Sequence, residues 1–114
     1  MAPGDKPLVW LQGDVKSPPF SLAARLEAGA LLRPLQGGER LGLPHSRPMP
    51  NIGARVHELR IQDETATWRI IHRLDPDAVV IVEVFSKKSR ATPGQVIKIC
   101  GRRLRAYDEA TGED

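Results

Sequence analysis

A chain of 114 residues with 40% hydrophobic and 27% charged residues has the length of one compact domain, residues 1–114, and its composition excludes a disordered protein. The net charge of +3 favours an anionic partner only weakly, so the placement of charge matters more than its sum. The lone cysteine, Cys100, excludes an intramolecular disulfide, and no apolar run approaches the roughly 20 residues that span a bilayer. These features predict a cytoplasmic protein without membrane association.

The N-terminal part of the chain predicts an edge strand followed by a helix. Residues 7–11 form a short apolar run that ends at a Gly-Asp turn signal. From Ser21, the residues Leu22, Leu26 and Ala30 recur at the spacing of a helix. Pro34 predicts a kink or an end of this helix near Arg33, because a mid-helix proline costs roughly 3 kcal/mol. Residues 41–53, with their three prolines, are predicted to form a loop.

Three consecutive strands are predicted over residues 56–61, 67–74 and 78–85, and the last is apolar on both faces apart from Glu83, as in a central strand. A three-residue turn would pair Leu74 with Ala78, and hence Arg69 with Glu83. Pairing Ile61 with Trp68 in the preceding hairpin would set Arg60 opposite Arg69. One face then carries charge, and the other packs on the helices. The charged face is predicted to gather Glu58, Arg60, Arg69, Arg73 and Glu83.

A C-terminal helix is predicted from Thr92 to about Tyr107. Thr92 is a good N-cap, and Pro93 suits the first helical position. Residues 109–114 are acidic and are expected to fray, which leaves a folded core of about residues 8–108. The predicted inner stripe of the helix is Val96, Ile97, Cys100 and Leu104.

Two groups of charged residues have a functional and an ordinary interpretation. Arg69 held by Glu83 could bind two phosphate oxygens, or the two could form an ordinary cross-strand ion pair. Lys87, Lys88 and Arg90 lie next to a predicted helix N-terminus, where they form an anion site or a solvated basic turn.

The remaining polar residues give weaker signals. His45, His57 and His72 lack metal-ligand spacing, so no metal is predicted. His72 is expected to be a core histidine, whereas His57 or His45 could act as a general base. Tyr107 could stack on a base or pack the end of the last helix.

The runs VHELRI, TWRIIHRLDPDAVVIVEVFSKKSRATPGQVIKIC and RRLRAYD, in this order and spacing, resemble the phage-derived, HigB-like branch of the RelE/ParE toxin superfamily. The resemblance extends over about residues 8–108. It implies an α+β fold: a small antiparallel sheet with one or two N-terminal helices and a C-terminal helix. It also implies the toxin of a type II toxin–antitoxin pair. Many such toxins cut mRNA in the ribosomal A site without a metal or cofactor, by attack of the ribose 2′-OH on the adjacent phosphate.

Site roles follow from the same resemblance. Arg69 matches the arginine that stabilises the transition state, and Arg60 matches a basic strand position near the scissile phosphate. Lys87 and Lys88 match the basic segment after the last long strand. The acid/base role stays open, with His57, Tyr107 and Asp108 as candidates. Further substrate contacts are assigned to Arg73, Arg90 and Glu83.

The implied partners are a helix-turn-helix antitoxin, the ribosome and mRNA. Two alternatives stay open. The chain could be a ParE-like toxin that binds DNA gyrase without nuclease activity, or an inactive, prophage-derived binding module. The retained arginines and lysines favour the nuclease.

Overall fold

The computed structural model describes residues 5–12, 20–64, 66–87 and 92–112, apart from the side chain of Lys87. Five strands form one sheet in the order β1-β5-β4-β3-β2, in which β1 runs parallel to β5 and the other neighbours are antiparallel. The predicted α+β fold is confirmed, and the interior position of β5 matches its apolar faces. The elements are β1 (Leu8–Trp10), α1 (Leu22–Gln36), β2 (Ser46–Pro48), β3 (Val56–Gln62), β4 (Thr67–Leu74), β5 (Val79–Lys87) and α2 (Gly94–Thr111).

The two helices cover opposite faces of the sheet. One core lies under α1, where Leu31 and Leu35 pack against Leu59, Ile61 and Ile70. The prediction that both helices pack on this face is therefore wrong for α2. Burial of apolar residues on the second face explains the difference, since each face needs its own cover. The α2-side core comprises Met49, Val56, Ile71, Ala78, Val80, Val82, Cys100 and Leu104.

The pairing of β4 with β5 differs from the predicted register. Leu74 lies opposite Val79 rather than Ala78, and a register shift falls between Ile71 and His72. Each change displaces the pairing by one residue, so Arg69 lies opposite Phe85 and not Glu83. Two one-residue displacements preserve the side-chain parity, which is why the assignment of residues to faces survives. The predicted pairs Ile61–Trp68 and Arg60–Arg69 are confirmed.

Helix α1 starts as predicted and passes through its proline. The Ser21 hydroxyl accepts a hydrogen bond from the Ala24 N–H at 3.0 Å, as an N-cap does. The predicted end near Arg33 is wrong, because the helix includes Pro34 and ends at Gln36. A proline in the last turn removes a single backbone bond, and burial of Leu35 and Gln36 keeps this turn on the sheet.

The apolar repeat that indicated α1 lies on its outer side. Leu22 and Leu26 are 60% and 66% exposed, whereas Ala24, Ala28 and Leu32 are buried. Both sets have helical spacing, so periodicity identifies the helix without choosing which stripe meets the sheet. The helix therefore leaves an apolar stripe uncovered.

Asp63 fastens the β3–β4 hairpin to the start of α1. Its carboxylate accepts hydrogen bonds from the Ser21 hydroxyl at 2.7 Å and from Trp68 Nε1 at 3.1 Å. The bond from Ser21 is the main cause that lowers the pKa of Asp63 to about 2. The ring of Trp68 stacks on Phe20 with 4.4 Å between centroids. These contacts fix the hairpin that carries Arg60 and Arg69.

Two further elements differ from expectation. Strand β2 falls inside the predicted loop and pairs with β3 at the sheet edge, where a proline such as Pro48 is tolerated. Helix α2 begins at Gly94 without a side-chain cap, because the hydroxyl of Thr92 donates to Glu58 instead. The helix continues beyond its predicted end near Tyr107 to Thr111; residues 113 and 114 of the acidic tail lie outside the described residues.

The buried His72 makes stability depend on pH. Burial lowers the pKa of His72 from 6.5 to about 4, and the prediction of a core histidine is confirmed. Between these values the unfolded chain binds a proton that the folded chain does not bind. Stability therefore falls as pH drops through this window, by roughly 3 kcal/mol for the shift. We expect urea unfolding at pH 7 and pH 4.5 to show this loss.

A matched pair of variants tests whether His72 causes this pH dependence of stability. His72→Leu removes the titrating group and should flatten the stability profile between pH 4.5 and 7. His45→Leu, at an exposed position, should keep the wild-type profile. Equal profiles for His72→Leu and the wild type would contradict the assignment.

Candidate functional site

The charged face of the sheet is organised around the buried carboxylate of Glu58. Arg69 Nη1 lies 3.0 Å from Glu58 Oε1, and Arg47 Nε lies 3.3 Å from the same oxygen. The hydroxyl of Thr92 donates to Glu58 Oε2 at 2.9 Å. Side chains from β2, β4 and the segment before α2 thus meet on one residue of β3.

Strand pairing sets this arrangement. Arg47 lies directly opposite Glu58 in the β2–β3 pair, and Arg60 lies opposite Arg69 in the β3–β4 pair. Residues two apart on a strand share a face, so Glu58 and Arg60 point to the same side. Arg47 and Arg69 therefore contact one carboxylate on the α2 side of the sheet, and Arg60 lies on the same face. We call Arg47, Glu58, Arg60 and Arg69 the arginine cluster.

Arg69 is the most enclosed member of the arginine cluster, with 4% of its side chain exposed. Burial is the main cause that lowers its pKa, the Glu58 charge raises it, and the charges of Arg60 and Arg47 lower it further. Its Nε is buried and has no hydrogen-bond acceptor among the described residues. Glu58 therefore fixes the orientation of a guanidinium that retains an unused donor.

Arg60 is half-buried and makes no ion pair or hydrogen bond with another described side chain. Like charges directly opposite each other on a sheet are destabilising, and Arg60 faces Arg69 in this way. An anion placed between the two guanidinium groups would relieve that repulsion. Arg60 is thus more exposed than Arg69 and has its guanidinium donors left for a ligand.

Arg73 lies at the other end of β4 and fastens α2 to the sheet. Its nitrogens donate to Asp75 Oδ1 at 2.7 Å and to Asp108 Oδ1 at 2.6 Å. These hydrogen bonds, that of Asp108 first, raise the pKa of Arg73, and Arg73 lowers that of Asp108. All three nitrogens of Arg73 bind carboxylates, so a substrate contact would require one of these bonds to open.

Tyr107 belongs to this second end of the sheet. The guanidinium of Arg73 lies 6.0 Å from the centre of its ring, and burial raises the pKa of Tyr107. Arg69 is four residues from Arg73, roughly 13 Å along a strand. The structure therefore does not bring Tyr107 or Asp108 to the arginine cluster.

Glu83 does not hold Arg69, which corrects the predicted ion pair. Its Oε2 lies 3.0 Å from Arg103 Nη1 of α2. The longer turn and the register shift move Glu83 along β5, where it meets the helix and not the arginine cluster. Glu58 takes the predicted role of the carboxylate that orients Arg69.

His57 lies on the opposite face of the sheet from Arg69, above the buried His72, with 5.9 Å between the ring centroids. Its Nδ1 is 3.2 Å from the Arg55 carbonyl oxygen. It lines a cavity of about 380 Å³ near the end of α1, together with Lys6 and Arg40. His57 and the arginine cluster are therefore separated by the sheet.

The basic turn falls largely outside the described residues. Lys88 and Arg90 lie in the undescribed part of the chain, as does the side chain of Lys87. The backbone of Lys87 pairs with Thr67, two residues from Arg69 along β4. The strand end thus leads toward the arginine cluster. Within the described ranges, no three His, Cys, Asp or Glu side chains form a group that could hold a metal ion.

Sequence reasoning missed Arg47, Thr92 and the role of Glu58. Arg47 stood in a segment without strand periodicity, and Thr92 had a good alternative use as a helix cap. Parity did place Glu58 on the correct face. Its contact with Arg69 is a diagonal one, which directly opposed pairs do not reveal.

The structure defines a small α+β protein that carries a cluster of cations on one side of its sheet. A family model described as Phage derived protein Gp49-like (DUF891) matches residues 19–105. The chain belongs to this family, which comprises type II toxin–antitoxin toxins of the RelE/HigB group and implies an antitoxin partner. No curated protein and no solved structure matches the chain. No described helix has the length and apolar character needed to cross a membrane.

Proposed function

We propose that this protein is a HigB-like toxin that cleaves mRNA on the ribosome without a metal or cofactor. The observation that carries the proposal is the arginine cluster, in which three arginines share one face of the sheet and two of them contact a single buried carboxylate. Its net positive charge suits a phosphate, and guanidinium groups bind phosphate oxygens in a fixed geometry. The family supplies the toxin class, and the arginine cluster supports the chemistry.

The proposed reaction is transesterification within the RNA strand. The ribose 2′-hydroxyl gives up its proton and its oxygen attacks the adjacent phosphorus. The bond from phosphorus to the 5′-oxygen breaks, and the leaving oxygen takes up a proton. The products are a 2′,3′-cyclic phosphate and a 5′-hydroxyl. Negative charge builds up on the phosphate in the transition state. Arg60 would contact it, while Arg69, oriented by Glu58, would stabilise it from the other side.

The residue that moves the protons is not assigned. His57 and Tyr107 stay predictions. His57 lies on the opposite face of the sheet from Arg69, and Tyr107 lies beside Arg73 at the far end of β4. Lys87, Lys88 and Arg90 follow the strand end that approaches the arginine cluster, and they keep their proposed roles in catalysis and binding. Arg73 and Glu83 are retained as proposed peripheral contacts only.

The test uses the purified chain, translating ribosomes and a defined mRNA, with the 5′ ends of the fragments mapped at nucleotide resolution. We expect new 5′-hydroxyl ends at codon positions, and none when ribosomes are omitted.

Other outcomes would overturn the proposal. Intact mRNA together with inhibited DNA supercoiling by gyrase would identify a ParE-like toxin. Intact mRNA and normal supercoiling, with no growth defect on expression, would identify an inactive binding module.

A further inference from the structure

Strand β1 and the outer side of α1 form an open apolar groove of about 530 Å³ on the face away from the arginine cluster. Its apolar surface includes Trp10, which is 38% exposed, and Leu26, which is 66% exposed. Leu22 extends the same stripe one turn toward the helix start. Large exposed apolar side chains grouped together mark a contact surface.

Gly29 gives a second, independent indication. A glycine within a helix costs about 0.5–1 kcal/mol relative to alanine. A Cβ built at Gly29 would meet nothing within 4 Å, so no neighbour in the described chain requires glycine there. Gly29 lies in the groove beside Ala30. Two small residues on an exposed helix face allow another backbone to approach closely.

The charges at the groove define the chemistry of the occupant. Arg25 and Arg33 line the groove, and neither side chain forms an ion pair within the described residues. They are eight residues apart, so they lie about two turns apart on one side of α1. An apolar segment flanked by acidic residues at a matching separation would bury the leucine stripe and neutralise both arginines.

We propose that the β1–α1 groove binds an acidic amphipathic helix of the antitoxin, with its small or apolar stripe seated over Gly29 and its carboxylates on Arg25 and Arg33. The residues 22, 26, 29 and 33 have the four-three-four spacing of a helix-docking seam. The inference rests on the proposed toxin function for the identity of the partner. It places the antitoxin on the opposite side of the sheet from the arginine cluster.

The experiment measures binding of the full chain to its purified antitoxin, the helix-turn-helix protein expected to be encoded by the adjoining reading frame, without ribosomes or mRNA. We expect Leu26→Glu and Gly29→Leu each to weaken binding at least 100-fold, and Arg25→Glu with Arg33→Glu to weaken it at least tenfold. Gly29→Leu should also raise the melting temperature of the free chain, because leucine is the better helix former. That rise separates a lost contact from a damaged fold.

Matched controls carry the same changes elsewhere. Leu43→Glu alters another exposed leucine, and Arg102→Glu reverses an exposed charge on α2. Both should bind as the wild type does. Sedimentation of the free chain tests whether a second copy of the chain, rather than the antitoxin, occupies the groove.

Three outcomes would overturn the inference. The antitoxin could fail to bind the chain, or it could bind Leu26→Glu and Gly29→Leu with unchanged affinity. The free chain could also form a dimer that Leu26→Glu dissociates. Because binding is measured without RNA, its result is independent of the nuclease proposal. An active nuclease whose antitoxin binds elsewhere would sink this inference alone.

Discussion

Replacing Glu58 with alanine should destabilise the protein by about 3–5 kcal/mol, the range for removal of one partner from a buried ion pair. Arg69 would keep its charge inside the protein without the carboxylate 3.0 Å away, and Thr92 would lose its acceptor. Folded domains have total stabilities of about 5–15 kcal/mol, so the variant should lose a large share of its stability. Urea unfolding followed by tryptophan fluorescence measures the loss.

Glu83→Ala is the matched control. It removes a carboxylate that is also 3.0 Å from an arginine, but the Glu83–Arg103 pair is partly exposed on both sides. We expect a loss below about 1 kcal/mol. A double variant, Glu58→Leu with Arg69→Met, should recover much of the stability lost in Glu58→Ala, since both charges leave together. Similar losses in Glu58→Ala and Glu83→Ala would contradict the central role of Glu58.

Arg60→Ala should have the largest effect on activity with little effect on the fold. Loss of one donor that stabilises a transition-state charge typically lowers a rate by about 10²–10³-fold. Stability should stay the same or rise by a few tenths of a kcal/mol, because Arg60 faces Arg69 and repels it. The cleavage rate on translating ribosomes and urea unfolding of the free chain are the two measurements.

Arg102→Ala removes an exposed cation of α2 that lies outside the arginine cluster, and it should cleave at nearly the wild-type rate. Arg60→Lys keeps the charge but lacks the planar guanidinium, so its cleavage rate should lie between those of Arg60→Ala and Arg102→Ala. Wild-type cleavage by a folded Arg60→Ala protein would remove Arg60 from the proposed mechanism.

Local patterns predicted the sheet and its charged face because strand parity depends on neighbouring residues alone. The Ile61–Trp68 register followed from matching apolar sides, and it placed Arg60 opposite Arg69 correctly. The partner of Arg69 could not be found in this way. It depends on a four-residue turn and a register shift in the β4–β5 pair, and both are decided by tertiary packing.

The helices likewise combine features that the local sequence predicts with features that depend on tertiary packing. Ser21 signals the start of α1 through a local cap, whereas the choice of the buried stripe depends on which side chains fit the sheet. Small Ala24 and Ala28 face the sheet closely, and the larger Leu22 and Leu26 are left outside. The end of α2 was missed because Arg73, far away in sequence, holds Asp108.

The parallel pairing of β1 with β5 ties the order of folding to the order of synthesis. Leu8 pairs with Val79, so the first strand waits for the last one before its backbone finds a partner. Closing so long a loop is slow, whereas the β3–β4 and β4–β5 hairpins close locally. On the ribosome, the β3–β4 hairpin can form before β5, the neighbour of β1, has been synthesised. The wall of the groove that β1 provides therefore forms only after β5 has been synthesised, so a partner that binds this groove distinguishes a finished toxin from an early nascent chain.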